Sequence, residues 1–330
     1  MLFGEVKRDA QIATFPGEAL PKPGLRVKDA MTVPYKFVFG LANDELGYII
    51  PAEDFSDELY DYEQSMSVSN QEGKMLRLSV CIEALFTKLP HPERIKKSAE
   101  IGAPAFEFWG WSNKELDEIK QAKDESGIEL ATFMCEMGSP LVEPGNRETI
   151  IEGAERSIET ARKLACKRLL VTTGNELEGV SRAEQHKNIV EHLKAAAGLC
   201  EDAGIILNLE PLNILVNHKG YYLYTSDEGF EIVDEVGSPN VKLLYDIYHQ
   251  QITEGNLIAT IEANIDKIGH FHIADVPGRH EPTTGEINYG NIFKKIAELD
   301  YDGFVGMEFW PIRSDEDAVK LTLELADSVS

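Results

Sequence analysis

The stretch that decides the fold runs from Ile205 to Phe309 and contains IILNLE (205–210), VKLLYD (241–246), IGHFHI (268–273) and FVGMEF (304–309). Each is a short, almost continuously apolar run, as expected of a strand buried on both faces of a parallel sheet. Amphipathic stretches separate them: SDEGFEIVDEVG, NLIATIEANID and NIFKKIAEL. Upstream the same rhythm gives LRLSVCI (76–82), AFEFWG (105–110), ELATFMC (129–135) and RLLVTT (168–173). Helical patterns again lie between and after these runs, such as ERIKKSAEIG, KELDEIKQAKDESG, TIIEGAERSIETARKLAC and AEQHKNIVEHLKAAAGLCEDAG. Gly102, Gly127, Gly204 and Gly237 each close a helical stretch just before a strand, a normal helix C-terminal signal. Eight strands alternating with helices predict an α/β fold, and eight is the number that closes a (β/α)8 TIM barrel. An open doubly wound sheet would usually show GxGxxG after its first strand, and the chain has none there.

A barrel of this kind takes roughly 250 residues, which residues 75–330 supply. Residues 1–74 stand apart as a short irregular N-terminal extension and hold five of the 15 prolines. In it YKFVFG (35–40) and GYIIP (47–51) read as strands, and DFSDELYDYEQSMSVSNQEGK (54–74) as an acidic, mobile linker. The extension is expected to be non-catalytic and partly flexible. Composition is ordinary for a globular chain, 43% hydrophobic and 27% charged. A net charge of −25 opposes phosphate backbones, so a diffusible small-molecule substrate is expected and nucleic acid is not. No apolar run reaches 18 residues, and MLFGEVKRDAQIATFPGEAL lacks the pattern of a secretory signal. No membrane contact and a cytoplasmic location are therefore expected. Cys81, Cys135, Cys166 and Cys200 form no CxxC pair and read as buried, reduced thiols.

TIM barrels keep their active sites at the C-terminal ends of the strands. Strands five to eight end in Glu210, Asp246, His272 and Glu308, at spacings of 36, 26 and 36 residues. One such residue alone would mean little, because a strand-end Glu is usually a surface or capping group. Four in succession, all oxygen or nitrogen donors from neighbouring staves, converge on one point. Three carboxylates crowded there repel one another unless a cation neutralises them. One divalent metal is thus expected on Glu210, Asp246, His272 and Glu308. An oxygen-rich set with one imidazole suits Mn2+ or Mg2+, with Co2+ or Zn2+ also compatible. Behind these ligands, Glu107, Trp109 and Glu281 are candidates for supporting the site. For Glu107 the alternative is an interior salt bridge; Trp109 and Trp111 either wall the pocket or pack their own loop. His218 and Tyr221 to Tyr224 follow strand five, with their direction left open. His270, separated from His272 by Phe271, is assigned to the opposite strand face and a structural role.

The motifs LEPLN (209–213), YDIYHQQ (245–251), HFHIADVPGRHEP (270–282), TGEINYGNIF (284–293) and GMEF (306–309) resemble hydroxypyruvate isomerase and its relatives. These belong to the xylose-isomerase-like TIM-barrel superfamily, and the likeness runs from about Leu76 to the C-terminal helix. It implies metal-dependent aldose–ketose isomerisation, with Glu210 and Glu308 serving both as ligands and as an acid/base pair. It also implies that His249, in the DxxH of YDIYH, contacts substrate oxygens, and that Arg279 holds a substrate carboxylate or hydroxyl. The bland alternatives are a loop hydrogen bond for His249, and pairing with Glu281 or Glu286 for Arg279. Many hydroxypyruvate isomerases carry Gln where this chain has His272, whereas ketose 3-epimerases carry His. Those epimerases have a further Glu where this chain has Val216. Ketose 3-epimerase is therefore the alternative activity. A third reading is a barrel that works only within, or as partner in, a complex. A phosphodiesterase like endonuclease IV is disfavoured, since it needs a His-rich multi-zinc site and a basic face. Barrels of this family often associate, so a homo-oligomer is among the expectations. Within the extension, GLANDELGYIIPAEDF (40–55) followed by YEQSMSVS (62–69) resembles a stretch near the end of neutral-ceramidase-type hydrolases. That resemblance implies a fused remnant without catalytic function.

Overall fold

The computed structural model describes residues 75–329 and, within the first 74, five short strands. Contacts between Cα atoms divide the chain into Met1–Glu72 and Gly73–Ser330. In the first unit Leu2–Glu5 (β1) pairs antiparallel with Ala10–Thr14 (β2), which pairs parallel with Tyr35–Phe39 (β4). Glu18–Ala19 (β3) pairs parallel with Tyr48–Ile49 (β5). The strands expected at 35–40 and 47–51 are β4 and β5. The linker expected at 54–74 lies outside the described residues, as do 40–47, 50–55 and 62–69 of the ceramidase-like stretch.

The second unit is the barrel. Its strands are Arg77–Cys81 (β6), Ala105–Glu107 (β7), Glu129–Leu130 (β8), Phe133–Met134 (β9) and Arg168–Val171 (β10). Ile206–Leu209 (β11), Val241–Asp246 (β12), Ile268–Ile273 (β13) and Phe304–Met307 (β14) complete it. All pairings are parallel, in the order β8-β7-β6-β14-β13-β12-β11-β10-β9. The two ends of that order, β8 and β9, are consecutive in the chain. Together they are the third stave, expected as one strand at 129–135 and here interrupted at Ala131–Thr132. On one side of the break Ala131 N–H donates to Phe106 O (2.8 Å), and beyond it Cys135 N–H donates to Leu170 O (2.7 Å). The stave thus pairs first with β7 and then with β10, and the ring closes.

Long helices cover the outside of the sheet. Those starting at His91, Leu116, Arg182 and Ser226 end at Gly102, Gly127, Gly204 and Gly237, all with positive φ. Phe106, Phe133, Tyr245 and Phe271 are fully buried on the helix-facing side of the strands, and Ser79, Leu244 and His270 on the inner side are equally buried, so both sheet faces exclude water. At the N-terminal end of the barrel Phe304 lies under the Arg77 guanidinium at 3.9 Å, and Arg77 pairs with Glu129. All four cysteines are buried and free. Among the described residues no helix is long and apolar enough to cross a membrane.

Candidate active site

Strands β11 to β14 deliver Glu210, Asp246, His272 and Glu308 to the C-terminal mouth, all buried. One ligand atom from each lies within 4.8 Å of the other three. His272 Nδ1 is 3.3 Å from Glu210 Oε1 and 3.5 Å from Glu308 Oε2, yet, like Nε2 of the same ring, it has no hydrogen-bond partner. A buried imidazole nitrogen left unpaired among carboxylates is what a metal ligand looks like without its ion. The residues present therefore fit a divalent cation.

Asp246 has one carboxylate oxygen committed to the backbone and one free to face the mouth. It caps the short helix Ile247–Thr253, where a loop is expected from the sequence; its Oδ1 accepts from Tyr248 N–H (2.8 Å) and His249 N–H (3.2 Å). That fixes Oδ1 on the backbone and leaves Oδ2 toward the mouth, 3.4 Å from His249 Nε2. Trp109 Nε1–H donates to Glu308 Oε1 at 2.7 Å. Arg279 Nη2 donates to Glu308 Oε2 and, at 3.4 Å, to Asp246 Oδ2. Neither Glu281 nor Glu286 holds it. Glu281 instead accepts from Ile312 N–H (2.9 Å), fixing the loop after β14 and lying away from the pocket walls.

His249 is fully buried, with Asn213 N–H donating to its Nδ1 at 3.2 Å. Nε2 is then the nitrogen that carries the proton. Burial and the nearby Arg279 hold this imidazole well below its ordinary pKa, so it stays neutral. Burial pushes the Glu210 carboxyl up to about 7; His272 opposes the rise, and Glu308 and Asp246 add to it. The His272 imidazole is held well above its usual value: burial opposes charging, but Glu308 and Glu107 outweigh it.

Beneath the tetrad sits Glu107, buried, accepting from Ser79 Oγ at 2.6 Å and lying 2.9 Å from His272 Nε2. Its other contact corrects the sequence reading. His270 Nε2 hydrogen-bonds Glu107 Oε2 at 3.0 Å, so His270 shares the interior face of β13 with His272. Strand side chains alternate with a period of two, so residues flanking Phe271 point the same way, not opposite ways. Burial would raise the Glu107 pKa, but His272 and His270 hold it well below the usual carboxylate range.

The mouth encloses about 290 Å3, walled by Trp109, Met134, Leu170, Leu212 and Trp310, with His218 and His249 on one side. Trp111 does not line it; its indole N–H donates to Ser157 Oγ at 3.2 Å and packs the loop. Tyr221 supports Glu210 from behind, its hydroxyl donating to Glu210 O at 3.1 Å. Sequence reasoning missed Asn213 and, above all, Asp275. Fully buried, Asp275 accepts from the backbone N–H groups of Val276, Thr284, Gly285 and Ile287. It ties down the loop that carries Arg279, whose own backbone is left-handed at φ 59°. The one available signal was an acid just past a strand and before Pro-Gly, a turn-nucleating position.

The sequence profile of xylose isomerase-like TIM barrels matches residues 95–328. Hydroxypyruvate isomerase of Escherichia coli (strain K12) is 34% identical over 250 residues, covering 73% of this chain and 96% of its own. The 2-oxo-tetronate isomerase of Cupriavidus necator is 31% identical over 244 residues, covering 72% and 94%. A solved structure described as an AP endonuclease, family 2, from Brucella melitensis matches with TM-score 0.71 at 28% identity, covering 74% and 97%. The chain belongs to the xylose isomerase-like TIM-barrel family. Within it the chain is an isomerase, similar to the hydroxypyruvate and 2-oxo-tetronate isomerases.

Proposed function

We propose that this isomerase interconverts a small hydroxy-carbonyl acid of the hydroxypyruvate and tartronate semialdehyde type by moving a proton between adjacent carbons through an enediolate. The observation that carries the reading is the unpaired, buried His272 Nδ1 set among Glu210, Asp246 and Glu308. These four residues would hold one divalent cation, Mn2+ or Mg2+ by the character of the donors. When bound, the cation supplies Lewis-acid polarisation of a carbonyl oxygen and its neighbouring hydroxyl.

The proton transfers fall to Glu210 and Glu308. Glu210, buried at the mouth beside His272 and facing Glu308, is placed to act as the base. Glu210 removes the proton from one carbon and gives it back to the adjacent one. Glu308, facing the same point with its Oε1 steadied by Trp109, takes the substrate's hydroxyl proton and passes it to the former carbonyl oxygen. Nε2–H of His249 is a fixed donor for a substrate oxygen, because Asn213 occupies Nδ1. Arg279 offsets the carboxylate charge and offers a guanidinium edge to an acidic substrate. At about 290 Å3 the pocket is at the small end for ligand sites, in keeping with a few-carbon substrate.

The test is a substrate screen on protein loaded with Mn2+ or Mg2+, together with metal analysis and Glu308→Gln. Hydroxypyruvate turnover that Glu308→Gln abolishes is the expected result. Conversion of ketohexoses without hydroxypyruvate would favour the ketose 3-epimerase reading, for which His272 is the residue in favour.

A further inference from the structure

Glu107 is a buried carboxylate that the proton transfers do not use, at the end of β7 and below the four candidate ligands. Each of its oxygens has an assigned task. Oε2 takes the Ser79 hydroxyl at 2.6 Å and His270 Nε2 at 3.0 Å. Oε1 lies 2.9 Å from His272 Nε2, a close charge contact that is not aligned as a hydrogen bond. The opposite nitrogen of that ring, Nδ1, faces Glu210 and Glu308. The neighbouring stave makes room for the contact. A Cβ at position 306 would stand 2.5 and 2.6 Å from the two Glu107 oxygens and 2.7 Å from His272 Cδ2, so only glycine fits between them.

We propose that Ser79, Glu107, His270 and Gly306 form a clamp that keeps the proton of a neutral His272 on Nε2 and turns the Nδ1 lone pair toward the cation position. Glu107 is then a positioning residue for metal capture, and the inference rests on the metal-site reading above. Imidazole can ligate through either nitrogen, and the one chosen is set by what the other nitrogen meets. Here an anionic acceptor at Nε2 favours the Nε2–H tautomer. His270 and Ser79 hold Oε2, so the carboxylate cannot rotate Oε1 away without breaking two hydrogen bonds.

The experiment is calorimetric titration of Mn2+ into metal-free protein for the wild type, Glu107→Gln, Ser79→Ala, His272→Gln and the His272→Gln, Glu107→Gln double variant. One Mn2+ per wild-type chain is expected, and a 10–100-fold weaker Kd for Glu107→Gln, the usual cost of losing a ligand's orienting partner. In the His272→Gln background Glu107→Gln should add nothing, because no ring remains to orient. Nitrogen-15 NMR of the Mg2+-loaded protein should report Nε2–H on His272 in the wild type and a tautomer mixture in Glu107→Gln. Should Glu107→Gln fail to fold, Ser79→Ala frees only Oε2 and carries the same test, with a loss of a few fold. A folded Glu107→Gln protein within twofold of the wild-type Kd overturns the clamp. So does an equal loss in the His272→Gln background, or a stoichiometry of two Mn2+ per chain, which would put a cation between Glu107 and the two histidines. A wild-type protein that binds no divalent cation refutes the underlying metal reading, and the clamp with it.

Discussion

Asp275→Asn keeps the shape of a fully buried side chain and removes its charge where four backbone N–H groups point at it. Oδ1 accepts from Val276 at 2.9 Å and Ile287 at 3.1 Å, and Oδ2 from Thr284 at 3.1 Å and Gly285 at 2.8 Å. An amide retains one oxygen, hence two of the four bonds, and its NH2 group faces the remaining two donors. The less costly orientation abandons Thr284 and Gly285, whose bonds are only part-buried, so water recovers some of the loss. Bonds to a charged acceptor are worth about 1.5–3 kcal/mol each; two of them, discounted for that recovery, give about 3 kcal/mol. Urea unfolding should show the extrapolated stability falling by that amount, with the midpoint lowered in proportion and the slope unchanged. The same loop carries Arg279, whose N–H donates to Asp275 O at 3.0 Å. At a temperature where both proteins are folded, kcat/KM should drop by at least about tenfold, since misplacing a positioning group is costly. A stability loss under about 1 kcal/mol with kcat/KM within twofold would refute the view that Asp275 organises the site.

Trp109→Phe removes the donor to Glu308 but leaves an aromatic wall. With Trp109 37% exposed, water replaces part of the bond, so a loss of about 1 kcal/mol, roughly fivefold in kcat/KM at saturating Mn2+, is expected. An unchanged value would remove Trp109 from the machinery. Burial sets Glu210 at about 7, and despite burial the carboxylate neighbours hold the His272 imidazole above its usual value. Neither ligates while protonated, so Mn2+ affinity of the metal-free protein should rise with pH through 7 and go on rising until His272 has lost its proton. Titrations at several pH values that show no such rise would contradict that environment. Chelation should lower Tm: a cation held at 100 times its Kd contributes about 2.7 kcal/mol, or roughly 5–10 °C for a domain of this size. Equal Tm values for loaded and stripped protein would argue against an ion bound by the tetrad.

The barrel and the tetrad could be read in the sequence because both are local properties repeated along the chain. A strand buried on two faces must be apolar throughout, so VKLLYD and IGHFHI announce themselves, and the residue ending each run must stand at the mouth. Position along a strand also fixes the side-chain face, and proper use of the period of two would have set His270 beside His272. Which side chains meet across the barrel is another matter. Ser79, Glu107, His270 and Gly306 come from four staves, and their registers are set by hydrogen-bond ladders between strands. Arg279 reaches Glu308 and Asp246 only from a left-handed backbone held by Asp275, and Glu281 goes to the loop after β14 because of that same bend. The sequence by itself determined the staves and the residues at their ends, since secondary-structure period and burial act within each segment. Only the tertiary structure decided the partners, because contacts between segments depend on strand register and loop conformation, which no single segment encodes.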